Sequence, residues 1–299
     1  MDVPEDRDGQ RLDNFLFGQL KGAPKSLVYR LLRTGQVRVN GKRAKPDTRV
    51  AAGDKLRLPP VRLGEAAPQP RASERSLESL AGRIVLEDRN FIAIDKPSGL
   101  ASHGGSGIAL GAIEQMRQLR PREPLELVHR LDRDTSGVLL FAKRRSALTA
   151  VQAEIREGRV RKRYLALLAG RLPSDSVRVD QPLRKSVLQG GERMVRIDPE
   201  GKPSRSTFKR LERHGPYDLV EVLIDTGRTH QIRVHAAHLG CPVAGDEKYG
   251  DAEANKALRQ AGLRRLFLHA AEFSFELADA RYDLSAPLAD ELREVLNKV

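Results

Sequence analysis

The spacing of apolar positions changes along this chain, and each change marks an element. Leu12, Phe15, Leu16 and Leu20 recur at helical spacing, as do Leu27, Val28, Leu31 and Leu32. Pro24 precedes the second run and Gly35 follows it, as suits a helix start and a left-handed stop. Val37 and Val39 then alternate with Arg38 up to Asn40-Gly41, a tight-turn pair, and a short strand ends at Leu56-Arg57-Leu58. Residues 63–82, with Pro68, Pro70, Ala, Ser and Glu and little periodicity, predict a flexible linker. Apolar runs at 84–86 and 91–94 flank a polar turn and predict a hairpin. Helices are expected over 108–119 and 147–158, and strands over 161–168, 193–197, 206–211 and 219–224. Thr229 is placed to cap a helix reaching Leu239, with Gly240 past its end and Pro242 beyond. The expected class is α+β. A small α/β domain at 1–62 and a linker at 63–82 precede a larger domain at 83–299, built on a mostly antiparallel mixed sheet with flanking helices and loops.

One segment breaks the pattern more sharply than the rest. His129-Arg130-Leu131-Asp132-Arg133-Asp134-Thr135-Ser136-Gly137 is polar, charged or turn-forming at all but one position, and it abuts the apolar run Val138-Leu139-Leu140-Phe141-Ala142. The run predicts a buried strand, and loops braced on buried strands are where sites are commonly built. On composition alone, a surface turn with solvated charges competes with a functional loop.

Charge changes that balance. The formal net charge is +13, which on a chain of 299 residues points to a polyanionic partner, most simply nucleic acid. It is unevenly placed: residues 11–62 carry 13 Lys and Arg against three acids, Asp13, Asp47 and Asp54. Arg30, Arg33, Lys42 and Arg43 are the candidate RNA contacts there. Tryptophan is absent and aromatics are only 4%, which argues against a broad base-stacking platform. The single cysteine, Cys241, excludes an internal disulfide and any multi-cysteine zinc site. The acidic start lacks the apolar core of a secretory signal, and no apolar run reaches the ~18 residues of a membrane span. A cytoplasmic protein is expected, and nothing in the chain demands more than a monomer.

Other chemistries fit less well. The Gly-rich stretch His103-Gly104-Gly105-Ser106-Gly107 suggests phosphate, but no Gly-Lys-Ser/Thr pattern follows it. His230, His235 and His238 do not have metal-ligand spacing. His129, Asp132 and Ser136 contain the residue types of a hydrolytic triad, yet the serine lacks a Gly-x-Ser-x-Gly elbow.

Two resemblances bear on function. Arg11-Leu12-Asp13, the run from Ser26 to Gly35, and Val37-Arg38-Val39-Asn40-Gly41 resemble the S-four-type RNA-binding domain. His129-Arg130-Leu131-Asp132-x-x-Thr135-Ser136-Gly137 resembles the signature of RluA-type pseudouridine synthases. Lys96-Pro97-x-Gly99, the basic-x-Tyr segment ending at Tyr164, and Gly227-Arg228-Thr229-His230-Gln231-Ile232-Arg233-Val234-His235 follow as further landmarks, in the expected order. Arg184-Lys185, Gln189-Gly190-Gly191-Glu192-Arg193, Gly201-Lys202-Pro203-Ser204 and Asp246-x-x-Tyr249-Gly250-Asp251 are most similar to the synthase C subgroup, which acts on bacterial large-subunit (23S) ribosomal RNA.

The resemblance implies isomerisation of uridine to pseudouridine by base flipping, with no metal or cofactor. It implies Asp132 as the essential aspartate, acting as nucleophile or base. Arg233 would be the basic residue pairing with it, and Tyr164 the residue contacting the base and removing its carbon 5 proton. Arg130 would fill the space of the extruded nucleotide, and Ile232 would pack on the flipped base or serve the core. Ribosomal RNA, or its assembly precursor, is the expected partner. The alternatives are a synthase for transfer RNA or another ribosomal site, and a non-catalytic RNA-binding assembly factor.

Overall fold

The computed structural model describes residues 1–20, 23–60, 70–105, 108–187, 193–278 and 280–299. The chain divides into two compact units, Met1–Arg71 and Ala72–Val299. Residues 63–69 of the expected linker, Ser106-Gly107 and Gln189–Glu192 lie outside the described part.

In the first unit, α1 (Leu12–Gln19) and α2 (Lys25–Arg33) precede β1 (Arg38–Val39), β2 (Lys42–Arg43) and β3 (Leu56–Arg57). The strands form an antiparallel sheet in the order β2-β1-β3. Asn40 and Gly41 take positive φ at the hairpin, as that dipeptide allows. Leu12, Phe15, Leu16, Val28, Leu31, Leu32, Val37 and Leu56 close into one core, which leaves the intervening cations to water.

The second unit opens with α3 (Glu74–Ala81), inside the segment expected to be a linker. Ser73 caps it by accepting the Ser76 N–H, Ser76 donates to Gln115, and Leu80 is buried. The low periodicity of this stretch conceals one buried leucine, which is enough to dock a short helix. There follow β4 (Ile84–Glu87), β5 (Phe91–Lys96), α4 (Ala112–Leu119), β6 (Glu126–Leu127), β7 (Ser136–Ala142), α5 (Arg145–Arg156) and β8 (Arg161–Leu168). Next come β9 (Ser176–Asp180), β10 (Leu183–Val187), β11 (Arg193–Ile197), β12 (Arg205–His214), β13 (Tyr217–Ile224) and α6 (Gln231–His238). The chain ends with α7 (Ala252–Gln260), β14 (Leu268–Leu277), β15 (Ala280–Ser285) and α8 (Asp290–Leu296). Helix α4 starts later than its apolar pattern suggests because Glu114 accepts from the Gly111 and Gly104 N–H groups, fixing the turn before it. Helix α6 begins after His230, not Thr229.

One ten-stranded sheet runs β4-β5-β7-β14-β8-β13-β12-β9, with β15 on β14 and β6 on β7, while β10 and β11 pair apart. All its pairings are antiparallel except β7 with β14. Val138, Leu140 and Ala142 enter the core beneath α5, while Leu139 and Phe141 enter the core with Leu80, Ile113 and Met116. Helices on both faces explain why β7 is apolar at successive positions instead of alternating. Gly137, the second residue of this strand, has φ +108°, and a Cβ there would lie 2.2 Å from the Ala270 carbonyl oxygen. Gly137→Ala should therefore destabilise the second unit by about 1–3 kcal/mol or more, read as a lowered urea midpoint. An unchanged midpoint would refute the close approach.

Candidate active site

The loop before β7 is held from beneath by the end of β5. Lys96 is fully buried, and its ammonium donates to the carbonyls of Pro97 (2.9 Å), Leu100 (2.7 Å) and Arg133 (3.1 Å). Burial lowers its pKa to about 7, against the pull of Asp134 and Asp132. Three carbonyls match the three N–H bonds of the ammonium form, so hydrogen bonding favours the charge that burial opposes. Gly99 N–H also donates to Arg133 O, Ser98 to Asp134 O, and Ser102 both gives to and receives from the Leu131 backbone. The segment 129–136 is thus a rigid shelf.

Its histidine and serine are structural. The His269 Nε2–H donates to Ala286 O (3.0 Å), so Nδ1 accepts from the buried Ser136 hydroxyl (2.8 Å). His129 stacks on Phe273 with ring centroids 4.4 Å apart, accepts from the Leu140 N–H, and burial drops its pKa to about 3. Ser136 is committed to His269, so the hydrolytic triad fails.

Asp132 stands on this shelf, partly exposed, with Arg233 Nη1 3.9 Å and His230 Nε2 4.0 Å from Oδ2. Asp132 is the expected partner of Arg233, but the close partner is Asp246. Nε and Nη2 donate to the two Asp246 oxygens at 2.7 Å each, leaving Nη1 to face Asp132. A planar guanidinium satisfies one carboxylate with one edge and offers the other, which lysine cannot do. Burial pushes the Asp246 carboxyl upward, but Arg233 and the N–H groups of Tyr249 and Lys248 outweigh it, holding the pKa below 3.8. The guanidinium also lies 5.1 Å from the centroid of the Tyr249 ring. Asp246 and Tyr249 carry only a subgroup resemblance in the sequence; the run Asp246-x-x-Tyr249 holds no spacing rule that would expose their roles.

The other expected residues divide. Tyr164, on β8, pairs with Ala270 of β14 and packs between two cores; burial and then the Asp132 charge raise its phenol pKa. Arg130 is exposed, donating to His103 Nε2 at 2.9 Å. Ile232 belongs to the core, 5% exposed in the cluster of Ala166, Phe208 and Val222. In the first unit Arg30, Arg33, Lys42 and Arg43 are all exposed, and Arg43 donates to Thr34 O. His230 and His235 diverge, the latter lying between Ser206 and Gln181. A cleft of about 1010 Å³ lies beside the shelf, lined by Arg83, Arg133, Lys248, Arg259, Arg264 and Arg265 along with His230 and Arg233. Asp95, Asp134, Asp246, Glu247 and Glu291 line it too, so its walls carry both signs, and Asp132 is not among the lining residues.

Residues 90–238 match the model for RNA pseudouridylate synthase, and residues 10–56 that of the S4 domain. The chain is 48% identical to ribosomal large subunit pseudouridine synthase C of Escherichia coli K12, covering 99% of this chain and 95% of that protein. It belongs to the RNA pseudouridylate synthase family. The Salmonella typhimurium protein of the same name is 51% identical over 91% of this chain and 87% of its own. Among solved structures, human RNA pseudouridylate synthase domain containing 4 superposes with a TM-score of 0.62 at 27% identity, covering 75% of this chain and 95% of that one. The synthase signature thus falls on the shelf, and the basic residue opposite Asp132 falls on α6.

The Arg233–Asp246 pair generates a stability test. Asp246→Ala would leave a guanidinium that is 8% exposed without its carboxylate, costing about 3–5 kcal/mol. Because the Asp246 pKa is depressed, its contribution is complete above pH 3.8 and fades as pH falls through the folded-state value. Chemical denaturation across pH should show this acid component in the wild type and lose it in Asp246→Asn.

Proposed function

We propose that the enzyme converts selected uridines of large-subunit ribosomal RNA to pseudouridine in the cytoplasm, with Asp132 as the reactive carboxylate. The carrying observation is one carboxylate on a loop whose backbone Lys96 braces, faced by the spare edge of Arg233. The names of the relatives at 48–51% identity support the substrate.

The isomerisation breaks the bond from ribose carbon 1′ to uracil nitrogen 1 and forms one from carbon 1′ to carbon 5. One proton leaves carbon 5 and one arrives at nitrogen 1, so the reaction balances without oxidant or reductant. Asp132 acts as an anion, either attacking the nucleotide or taking a ribose proton. Arg233 Nη1 stabilises that anion without the contact distance that would neutralise it. Tyr164 is protonated at rest, because burial and the Asp132 charge both oppose its ionisation. It can take the carbon 5 proton only as it passes its own phenolic proton on toward solvent, so Tyr164 serves as a relay with one proton in and one out. Arg130, exposed and bonded to His103 Nε2 among the described residues, is placed to move into the gap of an extruded base. Extrusion costs a few kcal/mol, and a cation filling the gap among phosphates offsets part of it.

The S4 unit acts as a tethered clamp, raising the local concentration of RNA. Residues 1–62 form the RNA-binding domain and 83–299 the catalytic domain in this reading, which the division into units 1–71 and 72–299 supports.

Two measurements test this. Asp132→Asn should lower tritium release from ribosomal RNA labelled at uracil carbon 5 by at least about a thousandfold, while RNA retention on a filter is unchanged; appreciable release by this variant would overturn the assignment. Removing residues 1–71 should weaken binding and flatten the plot of log Kd against log salt by about 0.7–0.9 for each phosphate that the cations of this unit neutralise. Parallel salt plots with and without the unit would remove the clamp.

A further inference from the structure

His230 is a polar side chain beside Asp132 to which the chemistry above gives no task. Its backbone is left-handed (φ 53°, ψ 20°), a conformation uncommon for a residue with a Cβ, at the first position before α6. With that backbone its ring bridges two groups. Nδ1 lies 2.8 Å from the Tyr249 hydroxyl, and Nε2 lies 4.0 Å from Asp132 Oδ2. The backbone N–H of Val195 donates to the Tyr249 hydroxyl at 3.0 Å, which leaves that hydroxyl its own proton to give to Nδ1. With Nδ1 accepting, the imidazole proton sits on Nε2, toward the carboxylate. Four charged groups face the ring: Asp132 from the shelf, Arg233 from α6, and Asp246 and Lys248 from the segment after it. Burial, helped by the two cations and opposed by the two carboxylates, lowers the pKa of the ring and keeps it neutral.

We propose that His230 is a positioning residue for Asp132, fixed by Tyr249 as the neutral Nε2–H tautomer, and that Val195 of β11 sets this orientation from a hairpin outside the main sheet. At 4.0 Å the N–H is a dipole aimed at Oδ2. It becomes a hydrogen bond when the carboxylate turns toward the nucleotide. A neutral donor orients the anion without placing a second cation beside Arg233, which would weaken Asp132 as nucleophile or base. The logic is that of a histidine whose tautomer is held by its second nitrogen's partner.

The inference rests on the role given to Asp132, and the experiment separates the two. Single-turnover tritium release is measured on labelled large-subunit ribosomal RNA with the full chain and with Tyr249→Phe, His230→Ala, His230→Asn and the Tyr249→Phe/His230→Ala pair. No release by the wild type removes the proposed function and the inference together. With an active wild type, Tyr249→Phe, which keeps the ring under Arg233, is expected to lower the maximal rate about tenfold at unchanged RNA affinity. The double variant is expected to be no slower than His230→Ala, because Tyr249 acts only through His230. His230→Asn tolerates the left-handed backbone and retains an N–H donor, so it should exceed His230→Ala. Its rate should also persist to lower pH than the wild type, since no imidazole remains to gain a proton. Additive losses in the double variant, or an acid limb that His230→Asn leaves in place, would overturn the proposal.

Discussion

The site depends on one buried cation. Lys96 gathers carbonyls from the turn that follows β5 and from the loop that precedes β7, so two segments 37 positions apart share a single charge. An ammonium in an apolar interior is tolerated only when its donors are used. Here each is used on backbone, and the backbone it holds carries Asp132. The acid is thereby placed without direct support from its own side chain, which stays available to substrate.

A second buried charge sets the field around it. Asp246 is wholly buried and fixes Arg233 through two hydrogen bonds, so the cation facing Asp132 has almost no freedom to move. If Arg233 paired directly and closely with Asp132, the pair would neutralise itself. Asp246, on the other edge of the guanidinium, keeps it oriented and leaves Asp132 underpaired. Tyr249 joins the same group, its ring under Arg233 while its hydroxyl connects Val195 with His230.

The two units divide labour by composition. The first closes its own core and turns its cations outward, where screening by salt governs what they contribute. The second buries long apolar strands on both faces of its sheet, and Lys96, Arg233 and Asp246 are among its buried charged groups. Gly137 marks the junction of these demands. The parallel pairing of β7 with β14 brings Ala270 so close that only a hydrogen fits, and the same pairing brings Tyr164 of β8 within electrostatic reach of Asp132.

The sequence by itself determined the class, most element positions, the concentration of charge in the first domain and the identity of Asp132 within a recognisable signature. Each is a local property: apolar period, turn residues and short motifs require only neighbouring positions. The helix at 74–81, the start of α6 after His230 and the burial of Ile232 depended on packing against residues far along the chain. The same holds for Arg233, whose position in the motif named it but could not reveal that Asp246 takes its closer edge. The contact of His230 with Tyr249 and the grip of Lys96 on Arg133 were settled only by tertiary structure. Hydrogen bonds and charge effects act over a few ångströms in space, and folding alone decides which distant residues come within that range.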